Sequence, residues 1–491
     1  MRYVENPQLV LGEDKIARIQ FDPRSRDDIP QLLMGLQHLY LTPSLREQVF
    51  AILETAIPPN IDPSNGRPGM ELWKVLVLGS LRLSLNCDYD RVHELANNHN
   101  TLRQMLGHGW LDDACQYSLQ TIKDNVRLLT PGILDQINQV VVKAGHRALK
   151  KSPADVLKGR CDSFVVETDV HYPTDISLLF DASRQVIERT AKLCIPLGRT
   201  EWRQSAYQVR QLKRRVREIE KLKRSKRGQG DQQAAHRREL RQAHAEYVAQ
   251  VSALLDKARR SVAEMRAEPH IAHDELQVIE DFMAHAHRQA SQIMERVLWE
   301  QTIPHEEKVF SVYEPHTEWI SKGKAGVPVE LGLKVCVMED QHGFILHHQV
   351  LVKSQDVDVA QAMVRQTQAR FAQLRACSFD QGFHSPQNQQ ALRGLLDCVI
   401  LPKRGKLSQE ERAYQHTEAF VQGRRRHAAV ESAINALEVH GLDVCPDHGL
   451  DGFKRYVALA VVSRNLQKLG AILQGRARHA LQRADARKRA A

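Results

Sequence analysis

A long helix-like segment separates two strand-like regions of this 491-residue chain. Between about residues 200 and 300, apolar side chains recur every three or four positions, as at Val209, Leu212 and Val216, with Arg and Lys in the intervals. This period predicts a long amphipathic helix. The glycines within residues 228–231 predict a turn into a returning helix, which makes a coiled-coil hairpin. Since strand-like sequence lies on both sides, we expect the helices to interrupt one α/β domain.

Strand-like runs flank the predicted insertion on both sides. Two precede it, "SFVVETDV" and "DISLLFDA", and four follow it, "VELGLKVCVMED", "GFILHHQVLV", "RACSFDQGF" and "DCVILPKR". Helix-like segments alternate with the later runs. This order predicts a mixed sheet with helices on its faces.

The region before the strands predicts helices. Apolar residues are periodic in "DIPQLLMGLQHLYL", "LREQVFAILETAI" and "MELWKVLVLGSLRLSL", and Asp88 is a candidate N-cap for a further helix. An all-α domain here is compatible with DNA binding and equally with a scaffold or dimerisation role, because helix-turn-helix units have no unique spacing. The predicted domains are an N-terminal helical domain (1–150), the first part of the α/β domain (151–200), a helical insertion (201–300), the second part of the α/β domain (301–470) and a basic tail (471–491).

The net charge favours a polyanionic partner. Lys and Arg number 69 against 59 Asp and Glu, which gives a formal charge of +10 and a pI near 9.2. Nucleic acid is the leading candidate. Five basic residues crowd the tip of the predicted hairpin and predict phosphate contacts there, although a solvated hairpin needs none. They are Lys221, Lys223, Arg224, Lys226 and Arg227.

Other features narrow the class of protein. The first residues, "MRYVENPQLVLGEDK", lack a signal-peptide pattern, and the apolar run "VLVLGSL" is too short to span a bilayer, so we expect a cytoplasmic protein. Eight cysteines without a CxxC pair predict reduced thiols. His440, Cys445 and His448 could supply part of a zinc site, but no fourth ligand is evident, and a loop after a helix is the preferred reading.

Two aspartates follow strand-like runs and are candidate site residues. In "SFVVETDV", strand alternation places Asp169 at the exposed end. In "RACSFDQGFHSPQNQ", the strand stops at Asp380, Gly382 permits a tight turn, and Ser385 is a candidate N-cap. Open α/β sheets place their sites at the carboxyl ends of strands. Each aspartate alone could equally be a turn former, but two in one sheet favour a site.

A hard divalent cation needs carboxylates from several elements, and a third acid is available. In "GRRRHAAVESAINALEVHGLD", an apolar helical stripe has Glu431 at its edge, and Glu438 is the alternative. Three arginines precede Glu431 and would place phosphate-binding charge beside it. They are Arg424, Arg425 and Arg426. The alternative for Glu431 is an exposed glutamate on a helix surface, which is the commonest position of this residue type.

Four stretches together resemble the DDE transposases of bacterial insertion sequences, in particular the ISNCY-type group. They are "ETDVHYPTDISLLFDA", "YEPHTEWISKGKAG", "SFDQGFHSPQNQ" and "RRRHAAVESAINALEVHGLD". The resemblance implies a ribonuclease-H-like catalytic domain in which Asp169, Asp380 and Glu431 hold two Mg²⁺ ions, with Mn²⁺ as a possible substitute. It also implies DNA strand cleavage and transfer, double-stranded DNA with terminal inverted repeats as partner, and a homodimer or higher oligomer on DNA in the nucleoid.

One departure from the family pattern concerns DNA contacts. Some related transposases carry an arginine four residues before the glutamate and a lysine seven after it, where this chain has His427 and Glu438. Lys403 and Arg404, with the three arginines before Glu431, are the remaining candidates on the catalytic domain. A structure-selective nuclease and a catalytically dead DNA-binding or architectural protein remain alternative functions.

Overall fold

A computed structural model describes residues 2–6, 15–58, 69–109, 115–152, 155–225, 230–321 and 328–490. The chain forms two compact units. One comprises Met1–Asp169 and Ile320–Ala491, and the other comprises Val170–Trp319.

The elements of the first unit up to its first strand are helices α1 (Asp28–Leu41), α2 (Pro43–Glu54), α3 (Leu72–Ser84), α4 (Tyr89–Asn98), α5 (Asn100–Met105), α6 (Leu119–Val126) and α7 (Pro131–Ala148), and strand β1 (Leu157–Thr168). The second unit contains α8 (Asp175–Cys194), α9 (Ser205–Arg224), α10 (Asp231–Met265) and α11 (His273–Ile293).

The remaining strands are β2 (Glu318–Ser321), β3 (Val329–Asp340), β4 (Ile345–Leu351), β5 (Leu374–Phe379), β6 (Cys398–Ile400) and β7 (Val444–Cys445). The remaining helices are α12 (Asp356–Arg370), α13 (Pro386–Leu395), α14 (Gln409–Gln415), α15 (Glu418–His427), α16 (Ala429–Leu437) and α17 (Gly449–Ala490).

The helices before β1 form where the apolar period predicts them, and they share a core with α17. Asp27 caps α1 by accepting a hydrogen bond from the Ile29 amide, and Asp88 caps α4 as predicted. The buried face of α1 packs on α17, where Gly35 lies so close that an added Cβ would meet the Leu466 carbonyl oxygen at 2.5 Å. The predicted basic tail, as far as residue 490, continues α17 as helix.

A seven-stranded mixed sheet lies at the centre of the first unit and confirms the α/β prediction. The long strand β1 pairs antiparallel with β3 and parallel with β5. Strand β4 extends the sheet beyond β3, β6 extends it beyond β5, and β2 also lies beside β3. The short strand β7 pairs only with the last residues of β1. On one edge β3 follows most of β1, whereas on the other edge β5 pairs with the first half of β1 and β7 with its end.

The second unit is helical, and one segment differs from its predicted state. "DISLLFDA" was expected to be a strand, but it opens α8. Thr174 and Ser177 form a capping box at its start, and Ile176, Leu179 and Val186 are buried on one helical face. The helical spacing of these residues outweighs their strand-like composition. The helices α9 and α10 pack as the predicted hairpin.

In the described ranges, no helix is both long enough and apolar enough to cross a bilayer.

Candidate active site

The parallel pairing of β1 with β5 brings two aspartates side by side. Cys161 of β1 is the register partner of Phe379 of β5, and the next residues are Asp162 and Asp380. As the sequence predicts, Asp380 follows the last residue of its strand, and its carboxylate accepts a hydrogen bond from the Gly382 amide at 3.4 Å. The carboxyl end of β5 therefore meets the middle of β1.

Three further carboxylates lie close enough to Asp162 to affect its pKa. Its pKa is raised to about 7. Burial is the main cause, the negative charges of Asp380, Asp356 and Glu431 add to the rise, and a hydrogen bond from the Ser163 amide opposes it. Like charges act over short distances in a protein interior. The effect on Asp162 thus marks a cluster of acids contributed by separate elements.

Glu431 reaches this cluster from α16, which packs against β1. The predicted helical stripe is confirmed, with Val430, Ala433 and Leu437 buried and Glu431 exposed beside them. Packing of the stripe fixes the helix, while the carboxylate stays in solvent.

Asp356 is a fourth acid that the sequence reasoning missed. It begins α12, accepts a hydrogen bond from Ser163 Oγ at 2.6 Å and pairs with Lys334 Nζ at 3.1 Å. Because Lys334 compensates its charge, Asp356 is better placed to anchor Ser163 beside Asp162 than to bind a ligand. The only local sequence signal for Asp356 was its position at the start of a helix, which does not indicate contact with a strand.

His427 completes the polar side of the site. Its Nδ1 lies 3.0 Å from Ser378 Oγ of β5, and its Nε2 is buried without a hydrogen-bond partner in the described parts of the chain. Burial lowers the pKa of His427, and the positive charge of Arg160 lowers it too. The negative charges of Asp380 and Glu431 oppose this change. The imidazole thus lies among the same acids, with one nitrogen unused.

Asp169 does not join the other predicted acids. It is exposed at the far end of β1, where its amide donates to the Cys445 carbonyl oxygen at 3.3 Å, beside β7. It lies seven positions beyond Asp162, or about 23 Å at the usual rise. β5 pairs only with the first half of β1, so its carboxyl end reaches Asp162 instead. An acid between apolar Cys161 and Phe164 was the available sequence signal.

The predicted DNA-contacting residues fall into separate groups. Lys221, Lys223 and Arg224 are exposed at the end of α9, whereas Lys226 and Arg227 lie outside the described residues. The second group lies in the first unit: Lys403 pairs with Glu411 at 2.7 Å, and exposed positions are held by Arg404, Arg424, Arg425 and Arg426.

The carboxylates of Asp162, Asp380 and Glu431 are the kind of ligand that a hard cation binds. Carboxylate oxygens are the preferred ligands of Mg²⁺. In the ranges that the structure describes, no three His, Cys, Asp or Glu side chains are already gathered closely enough to hold an ion. Asp380 and Glu431 are exposed, so packing does not lock their side chains in one rotamer. His440 is buried and contacts the Leu83 and Ser84 carbonyls, which does not favour zinc there.

Comparison with known proteins identifies no relative. No protein-family model, curated protein or solved structure matches the chain.

Proposed function

We propose that this protein is a transposase that binds the ends of an insertion sequence and performs metal-dependent DNA strand cleavage and strand transfer. Asp162, Asp380 and Glu431 are the proposed catalytic residues. The observation that carries the proposal is the β1–β5 register, which brings two aspartates from adjacent strands together while Glu431 acts on one of them from a helix. The mixed sheet supports a ribonuclease-H-like catalytic domain.

The roles of the side chains follow from their places. When bound, two Mg²⁺ ions would supply Lewis-acid activation of the attacking and leaving oxygens at phosphorus. Asp162 and Asp380 would hold the ions from the sheet, and Glu431 would complete the site from α16. Ser378 orients the His427 ring, whose unused Nε2 can hold a proton or a phosphate oxygen beside the carboxylates. The chain needs no covalent nucleophile for this chemistry.

Proposed partners are double-stranded DNA ends, a target duplex and a second copy of the chain. Two element ends must be held together during transfer, so an oligomer on DNA is expected. The exposed basic residues at the end of α9 are proposed phosphate contacts, because arginine and lysine at that density release counterions from DNA.

The test is cleavage and joining of DNA that carries the gene's own flanking ends, with and without Mg²⁺. Asp380→Asn removes one charge with little change in shape, so we expect DNA binding to persist and cleavage to be lost. Asp397→Asn is the matched control, because Asp397 is an exposed aspartate outside the site.

Each outcome separates a different function. Cleavage and joining by wild type, lost only in Asp380→Asn, supports the transposase. Cleavage without joining indicates a nuclease. Equal cleavage by wild type and Asp380→Asn shows that Asp380 is a turn residue and contradicts the proposal.

A further inference from the structure

A face of the sheet continues from the acids to a row of basic residues. Alternate residues of a strand share a face, so Lys158 and Arg160 lie on the same side of β1 as Asp162. On β5, Ser378 pairs with Arg160 in the ladder and shares the face of Asp380. A ligand lying along this face from the acids would therefore pass Arg160 and then Lys158.

The helix α15 covers this part of the face and leaves a cavity beneath it. The cavity has a volume of about 650 Å³, and its walls include Arg160, Ser378, Ile400, Gly423 and Arg426. Gly423 sets the distance between helix and sheet, because an added Cβ would meet the Ile400 side chain at 2.6 Å. The volume lies in the usual range for small-ligand sites.

The charge of the cavity is one-sided. Its described lining contains Lys151, Lys158, Arg160 and Arg426 and neither Asp nor Glu. Arg160 pairs with Glu339 of β3 at 2.9 Å, which holds the guanidinium in place. The other three form no ion pair with any described residue and are exposed to solvent. Such a wall attracts an anion and disfavours a cation.

The lining also has an apolar part, which suits a sugar and base. Ala376, Ile400 and Ala419 contribute aliphatic surface, and the remaining polar lining includes Gln341, His342, Ser378 and Gln422. A phosphate alone would leave this surface in water, whereas a nucleotide covers it while its phosphate meets the lysines and arginines.

We propose that this cavity binds a nucleotide of the DNA strand that continues from the reacting phosphodiester, with its phosphate on Lys158 and Arg426. The assignment rests on the proposed function, since it names the place of the substrate strand in that site. It predicts that the strand runs under α15 and away from the acids along β1.

Cys398 offers a direct probe, because it is an exposed free thiol in the cavity lining. The experiment measures the rate of maleimide labelling at Cys398 in EDTA, with and without a single-stranded thymidine 20-mer. At a DNA concentration about ten times the dissociation constant, labelling is expected to fall to about a tenth of its free rate. Cys398→Ser identifies the labelled site.

Matched variants test the residues that hold the phosphate. The double variant Lys158→Glu with Arg426→Glu is expected to lose protection. Arg365→Glu reverses the charge of an exposed residue on α12, outside the cavity lining, and is expected to keep it. Thermal unfolding of each variant confirms that it is folded.

The outcomes are distinct from those of the cleavage test, because no metal is present. No protection by the 20-mer overturns the proposal even where wild type cleaves DNA. Equal protection by thymidine monophosphate assigns the cavity to free nucleotides and overturns the strand assignment. Protection by a neutral methylphosphonate 20-mer contradicts the role of the basic residues.

Discussion

The two halves of β1 each carry an aspartate, and they differ in what surrounds it. Asp162, in the middle, is half-buried beside the end of β5 and near three further carboxylates. Asp169, at the end, is exposed beside the short strand β7. The comparison teaches that the end of a strand does not by itself bring acids together, since β1 and β7 end side by side at Asp169, whereas β1 continues past Asp162. Register between strands, more than position within one strand, decides which acids meet.

The largest expected difference between the halves is in catalysis. Asp162→Asn removes a proposed ligand, and strand cleavage should fall by at least about a hundredfold, since even outer-shell partners of metal ligands are worth about ten- to a hundredfold. Asp169→Asn should cleave like wild type. Both are measured by Mg²⁺-dependent cleavage under single-turnover conditions. The reverse ranking would move the site to the end of β1.

A second difference is in stability against pH. The pKa of Asp162 is raised to about 7, chiefly by burial, so the folded protein holds this proton more tightly than the unfolded chain. Its contribution to stability is present at low pH and is lost as the pH rises toward 7. In metal-free buffer, the free energy of unfolding of Asp162→Asn, relative to that of wild type, should therefore increase by roughly 2 to 4 kcal/mol between about pH 4 and about pH 8.

The measurement is denaturant unfolding of wild type and variant across this range, with Asp169→Asn as control. Burial lowers the pKa of His347 to about 3 and that of His348 to about 4, which makes stability rise with pH in all three proteins. The difference between the curves cancels this background. Parallel curves for wild type and Asp162→Asn would show that Asp162 is not held protonated.

The smallest expected effect comes from moving α15 away from the sheet at β6. Gly423→Ala places a methyl group against Ile400 and should cost about 1 to 3 kcal/mol as overpacking. Gly475→Ala, with open space around it in α17, should instead gain about 0.5 to 1 kcal/mol from helix propensity. Thermal unfolding compares the two. Equal stabilisation by both would show that α15 does not rest on the sheet at Gly423.

Local sequence signals predicted much of the fold. The period of "DIPQLLMGLQHLYL" matches α1, and Ser385 and Pro386 begin α13 as N-cap and first residue. Asp380 at the end of β5 and the stripe of α16 were also predicted correctly. Each of these features depends on residues within a few positions of one another, which is the range that propensity and capping describe.

The pairing of Asp162 with Asp380 was beyond such signals. Which residue of β1 faces Asp380 depends on the pairing of Leu157 with Leu374 and on the shift at Lys158, and no local pattern specifies that register. "DISLLFDA" was misread for a different reason. Its apolar run is short enough to suit a strand or a helix, and the Thr174 capping box decides for the helix.

The placement of the second unit between β1 and β3 affects how the chain is made. β1 ends at Thr168, but its antiparallel partner β3 begins only at Val329. The helix α1 packs on α17, which begins only at Gly449. The ribosome therefore completes the second unit before the sheet can pair, and the apolar faces of the first helices stay uncovered longest. Closure of such distant contacts slows folding. A nascent chain of this design exposes a binding surface for chaperones throughout most of its synthesis.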